Sequence, residues 1–377
     1  MRAAQVSQDS KASLFQVPSW LDFLGSLVQR YRNFWLWLGC CESRRLHREL
    51  NGVSLRMPIY ISGLARAGST LLHEIVSAHP GVATHRVKDY PMVFTPYWWR
   101  RATAGQRRKA PSPRPHQDGV MITPESPDAV EEMLWMAFFP NCHNPAVSNL
   151  VGAGARHPGF EGFYKRHLQK LLLAERASRY AAKANYHVVR LPYLVRLFPD
   201  AKILIPVRAP AGHIASLIRQ QQRFSQGQRK QPRSLALMQR SGHFEFGLDR
   251  RPMNLGDSAR VEQIVQAWAR GDEVRGQAMY WDMVYGYLAY LLASDARVRA
   301  AALVVRFEDL CQAPAESLRS VLNHCVLPDA GRILHQFVRR IRFPAYYSAN
   351  FSSRDVDVIR NETAATAKLW GYGERGA

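Results

Sequence analysis

The stretch ISGLARAGSTLL (61–72) carries the residues with the clearest capacity for chemistry. Gly63 and Gly68 stand at the spacing of a phosphate-binding loop, and Thr70 takes its hydroxyl position. Ser69 fills the place where nucleoside-triphosphate enzymes carry lysine. Such a loop grips an anion with consecutive backbone N–H groups and the positive end of the following helix, and neither needs the lysine. Lysine and a hydroxyl-bound Mg²⁺ serve β- and γ-phosphates. With no lysine here, and with LIPVR (204–208) ending on arginine, only RFEDL (306–310) offers an acidic strand end for a metal. The loop therefore reads as intact and built for a phosphate other than that of a triphosphate.

The elements that must position it follow from periodicity. MPIYIS (57–62) reads as a strand, and STLLHEIVSAHPG (69–81) as a helix stopped by Pro and Gly. GVATHRV is the next candidate strand, and residues 90–119, rich in Pro and Arg, read as an irregular insertion. SPDAVEEMLWMAFF (126–139) is a capped helix with Pro127 at its first position. Residues 160–182 read as one long helix, HVVRL (187–191) as a strand, PYLVRLFP as a short helix and AKILIPVR (201–208) as a strand leading into a helix. Residues 219–251, rich in Arg, Gln and Gly, read as a mobile loop or lid; a helix over 260–293 and a strand in AALVVRFEDL (301–310) follow. Alternating strands and helices of this kind predict an α/β fold, a central parallel sheet with helices on both faces, whose ligands bind at the carboxyl ends of the strands.

Composition sets the wider frame. The chain has 377 residues, 47 % of them hydrophobic, ample for a packed core. The expected organisation is a helical extension over 1–56 packed on a single α/β domain over 57–377, with basic insertions near 95–120 and 219–255. A formal charge of +21 points to a polyanionic partner: nucleic acid, an acidic membrane surface, or a charged cofactor and acceptor. Five cysteines without metal or C-x-x-C spacing fit a reducing, cytoplasmic setting. The longest apolar run of the N-terminal region, Phe34 to Cys41, is too short to span a bilayer. Trp, Leu and Phe alternating with Arg in that region suit either a helix covering the domain's own core or an interfacial helix in peripheral contact with a membrane.

The order Arg66-x-Gly68-Ser69-Thr70, with LLHEIVSAHPGV after it, resembles the 5′-phosphosulfate loop of sulfotransferases that use 3′-phosphoadenosine 5′-phosphosulfate. Arg208 and Ser216, eight apart in VRAPAGHIAS, resemble that family's 3′-phosphate grip. Lys183 resembles the lysine before this strand pair in the bacterial and tyrosylprotein branches, and LVVRFEDL (303–310) resembles the family's later acidic segment. The resemblance runs from about 57 to 325 and implies the P-loop-like sulfotransferase fold. It also implies a phosphosulfate co-substrate, no metal, and no specific nucleic acid as partner. By it, Arg66, Ala67, Gly68, Ser69, Thr70 and Leu71 hold the 5′ end, Arg208 and Ser216 hold the 3′-phosphate, and Arg66 with Lys183 stabilises the transferred group and leaving oxygen.

The base that takes the acceptor proton stays open. Relatives place a histidine or glutamate after the loop helix, and the candidates here are His116 and Asp89, ahead of His85 and the pair Glu131/Glu132. The acceptor is a hydroxyl or amine, and basic residues beside Trp98 and Trp99 favour a saccharide or lipid-linked glycan, anionic in character. Two other readings compete: a P-loop kinase needing Mg²⁺ and ATP, and a non-catalytic basic protein that binds polyanions.

Overall fold

Among the described residues, seven apolar or turn-flanked segments form strands: β1 (Ile59–Ile61), β2 (Val82–Ala83), β3 (Ser112–Pro113), β4 (Met121–Ile122), β5 (Arg179–Lys183), β6 (Lys202–Val207) and β7 (Ala302–Arg306). The structure, a computed structural model, describes residues 14–105, 110–328, 330–343 and 351–373. Five strands make one parallel sheet in the order β2-β5-β1-β6-β7, while β3 and β4 pair as a small antiparallel hairpin. The chain leaves β5, passes over β1 and enters β6 on its far side, so the strand order switches at β1. That switch opens the crevice in which such sheets hold ligands.

The strands alternate between cores on the two faces of the sheet. Ile59, Ile61 and Leu204 pack with Leu72, Ile75 and Val76 of the helix Ser69–Ser77 and with Leu318 and Val321 of the helix Pro314–His324. Tyr60 and Ala182 face the opposite way, toward Phe160, Tyr164 and Leu168 of the helix Pro158–Glu175. Ile203, Ile205 and Val207 meet Trp281, Tyr285 and Leu288 of the helix Glu273–Ser294. Helices therefore cover both faces, and the α/β architecture matches the periodicity of the sequence.

Several expectations need correction, and the capped helix read over 126–139 begins only at Glu132, with Pro127 outside it. The helix predicted over 160–182 ends at Glu175, where Arg176 turns left-handed (φ 53°), and 179–183 becomes β5. The segment HVVRL, predicted as a strand, lies instead in a 3-10 helix (Asn185–Arg190) leading into the helix Leu191–Leu197, with Pro192 in its first turn. The expected lid over 219–251 is largely helical, Pro210–Lys230 followed by Pro232–Ser241. Gln and Arg are good helix formers, and their polarity imitated a loop. The helix over 260–293 is two, Ser258–Ala269 and Glu273–Ser294, separated at Gly271 (φ 80°).

Among the described residues, the helices Ser19–Arg30, Arg32–Arg45 and His47–Asn51 precede β1, and the second and third pack on the helix Pro158–Glu175. The second is seated on Gly39, where an added Cβ would lie 2.6 Å from the Phe94 carbonyl oxygen and 3.0 Å from the Phe163 ring. Gly39→Ala is expected to lower stability by about 1–3 kcal/mol, the usual cost of overpacking. A lowered urea midpoint with an unchanged slope is the measurement.

Candidate active site

The phosphate loop joins β1 to the helix Ser69–Ser77 at the switch point. Gly68 caps that helix with φ 97°, a conformation that suits glycine, and an added Cβ would lie 3.1 Å from the Phe307 ring. At Gly63 a Cβ would sit 2.8 Å from the Pro206 carbonyl oxygen of β6, so close strand packing excludes a side chain there. Arg66 is left-handed without being glycine (φ 74°), a strained conformation of the kind that gathers at ligand-binding loops. Ala67 and Ser69 are buried, and Thr70 and Leu71 are half-buried on the first turn. The loop N–H groups and helix terminus thus form a ready anion cradle.

Residues far away in sequence close this cradle. Arg208, at the end of β6, donates from Nη1 to the Arg66 carbonyl at 3.3 Å and stacks over the Phe307 ring at 4.6 Å. Ser216, fully buried on the helix Pro210–Lys230, accepts from Arg66 Nε at 3.3 Å. His213, one turn earlier, donates to the Ala65 carbonyl at 2.7 Å. Arg66, Arg208 and Ser216 are thereby brought into one cluster. Lys183 ends β5 in register with Ile61, immediately before the loop. Burial pulls the Lys183 amine below its ordinary range, and the charge of Glu245 opposes that pull.

The hairpin β3–β4 also reaches the loop. Asp118, in its turn, accepts from Arg66 Nη1 at 2.6 Å and from Arg114 Nε at 2.8 Å. Burial raises its carboxyl, but the bonds and charges of Arg114 and Arg66 outweigh this and hold it well below the usual carboxylate range. His116 lies between, its carbonyl accepting from Gln220 and Arg223 and its ring edge-on to Phe224 at 4.8 Å. Burial, then the charges of Arg114 and Arg66, push its imidazole far below the ordinary histidine range, and Nδ1 is buried without a hydrogen-bond partner.

The other base candidates are engaged by neighbouring side chains. Asp89 is fully buried, bound by Arg100 at 2.5 Å and by the Arg86 N–H at 2.8 Å. Burial alone would raise its carboxyl; the charge of Arg100 more than offsets this and keeps it ionised. A carboxylate so held is the counter-ion of Arg100. His85 lies buried between Asp89 (3.4 Å) and His167 (3.1 Å). Glu131 accepts from Trp135, Tyr164 and Tyr180. Glu132 is paired with Arg190 and lies with Cys142 and His143, a trio of metal-ligand types among the described residues. The Arg190 cation occupies that carboxylate, and burial first, then Glu132, pushes the Cys142 thiol up to about 12, away from the thiolate a metal would bind.

Sequence reasoning missed Asp118 and Arg114, hidden in a segment read as irregular, and the group around Lys183. Glu245 accepts from Asn185 at 2.6 Å and faces His243 at 3.6 Å. Burial opposes its charge, yet His243 and Lys183 bring Glu245 down to about 2. His243 in turn is lowered by burial and raised further by Glu245, ending above its ordinary value. No local spacing announces a pair placed by the turn after two helices.

Comparison with known proteins bears on the same region. Residues 58–244 match the profile described as the Sulfotransferase family. Three solved structures are similar to the chain: sulfotransferase STF1 from Mycobacterium tuberculosis (16 % identity, 91 % of this chain and 86 % of that one, TM-score 0.46), sulfotransferase STF9 from Mycobacterium avium (13 %, 88 % and 81 %, TM-score 0.48) and a sulfotransferase from Alicyclobacillus acidocaldarius (13 %, 85 % and 98 %, TM-score 0.35). No curated protein matches the chain. The matched region holds the loop, Lys183, Arg208 and Ser216 together, and by it the chain belongs to the sulfotransferase family and is an enzyme, a sulfotransferase.

Proposed function

We propose that the enzyme moves a sulfuryl group from 3′-phosphoadenosine 5′-phosphosulfate to a hydroxyl or amine of a saccharide or lipid-linked glycan, in a cytoplasmic setting. The observation that carries this reading is the joining of two anion grips: the loop Arg66–Leu71 and the strand-end pair Arg208/Ser216 are hydrogen-bonded to each other. A single cationic cup of that kind suits a ligand with phosphates at both ends of a nucleoside. The bound co-substrate would supply the activated sulfuryl group. Ala67 to Leu71 would hold its 5′-phosphate by backbone N–H groups, and Arg208 with Ser216 its 3′-phosphate.

Arg66 and Lys183 would take up charge on the transferred group and bridging oxygen as the bond to the leaving phosphate breaks. His116, kept neutral, would accept the acceptor's proton at Nδ1 as the new sulfur–oxygen (or sulfur–nitrogen) bond forms. His243 suits this less, because Glu245 holds a proton on it further into the neutral range.

Titration calorimetry with 3′-phosphoadenosine 5′-phosphate against ATP plus Mg²⁺ tests the reading. The bisphosphate is expected to bind without divalent ions, and Arg208→Ala to weaken it by about 1.5–3 kcal/mol, the range of a charged hydrogen bond. Tight binding of ATP alone would favour a kinase instead. An Arg208→Ala variant that binds the bisphosphate as well as the parent would remove the assignment of the strand-end pair.

A further inference from the structure

We propose that the outward faces of the helices Ser19–Arg30 and Arg32–Arg45 form a docking surface for an anionic lipid bilayer. Five aromatic side chains in this short stretch stand half or more exposed: Trp20 and Phe23 at 60 %, Tyr31 at 53 %, Phe34 at 50 % and Trp37 at 54 %. Single exposed aromatics are ordinary, but a run of them is not.

The two helices repeat one pattern. Each rests on the domain through a glycine: a Cβ at Gly25 would lie 2.2 Å from the Tyr90 hydroxyl, and one at Gly39 2.6 Å from the Phe94 carbonyl. The exposed pair sits five and two positions before that glycine in both, Trp20 and Phe23 before Gly25, Phe34 and Trp37 before Gly39. At about 100° per residue those positions lie roughly 140° and 160° around the helix from the glycine. Close seating of the glycines thus fixes the aromatics on the side turned away from the core. The stripe cannot be the core-covering face of these helices, since Gly25, Val28, Gly39 and Glu42 are the residues they bury.

Charge selects the occupant. Arg30, Arg44, Arg45 and Arg48 are exposed along the same helices and the one that follows. Two of the three acids in the stretch are already engaged: Asp22 is bound by Arg240, and Glu42 is buried on Lys170 at 2.7 Å. A second copy of the chain docking face to face would set arginine against arginine, on a chain that already carries a formal charge of +21. An anionic bilayer meets both features, taking Trp and Tyr rings at its headgroup boundary and arginines at its surface.

The test is flotation of the full chain with vesicles of phosphatidylcholine alone and of phosphatidylcholine mixed with phosphatidylglycerol, at low and high salt. The parent is expected to float with the anionic vesicles at low salt and to be released by high salt. A variant with Trp20→Ser, Phe23→Ser, Phe34→Ser and Trp37→Ser is expected to lose more than roughly tenfold in partitioning. Each of Arg30→Gln, Arg44→Gln, Arg45→Gln and Arg48→Gln is expected to lower it by about fivefold, the equivalent of ~1 kcal/mol. Bisphosphate affinity and the melting temperature serve as folding controls and are expected to stay at parental values. The proposal is overturned if the parent stays unbound at low salt, or if the aromatic variant floats as the parent does. It is equally overturned if light scattering shows that the aromatic residues hold a dimer that binds no vesicle.

Discussion

Replacing His116 by glutamine is expected to cut turnover by about 10²–10⁴, the usual contribution of a positioned proton acceptor. The ring's environment supports the size of the effect. Burial and the neighbouring guanidinium groups of Arg114 and Arg66 keep the imidazole unprotonated, and its Nδ1 has no competing hydrogen-bond partner. Because a neutral ring is ready to accept a proton throughout the ordinary histidine range, the acid limb of the rate profile should fall below the ordinary histidine value of 6.5. Glutamine keeps similar bulk against Phe224, so the bisphosphate should bind with parental affinity while the rate falls. Turnover at the parental level would exclude His116 as the base; loss of bisphosphate binding along with rate would mark it as a support of the cradle instead.

Acid is expected to unfold the protein well before its carboxylates are protonated. His73 and His213 are lowered to about 3, and His116, His167 and His187 lie well below their ordinary value, in each case with burial as the first cause. The unfolded chain binds these protons near pH 6.5 and the folded chain does not, so stability is intact above that value and falls as pH drops below it. Each such histidine costs on the order of 1 kcal/mol one pH unit below its unfolded value, so together they amount to several kcal/mol. That is comparable with the whole stability of many domains. His243 acts in the opposite sense, since Glu245 raises it and its contribution is present below 6.5. Denaturant midpoints measured from about pH 7.5 down to pH 5 should fall steeply. A flat profile would mean that these rings take up protons in the folded state.

The sheet was legible in the sequence wherever an apolar run ended at a turn. MPIYIS, AKILIPVR and AALVVRFEDL became β1, β6 and β7 because their alternating residues fill cores on opposite faces. β5 was not, because the two alanines in Arg-Tyr-Ala-Ala-Lys continue a helical pattern and its charged ends give no strand signal. The polar second half of the helix Pro210–Lys230 imitated a loop, and its Gly227 is there for closeness, since a Cβ would lie 2.5 Å from the Phe15 ring. In the site, Arg66, Arg208 and Ser216 could be picked out because their spacing is local to two strand ends. The salt bridge of Asp118 to Arg66 could not, since it spans many residues and depends on how a hairpin folds back.

The pairing of β6 with β7 limits how far the enzyme can be trimmed. The family pattern stops at residue 244, yet the ring beneath Arg208 and beside Gly68 belongs to Phe307, just after β7. A fragment cut to the recognisable region would expose one long edge of β6 and take the ring from under Arg208. The recognisable half is therefore not a minimal catalyst, and the later, less recognisable segment belongs to the working unit.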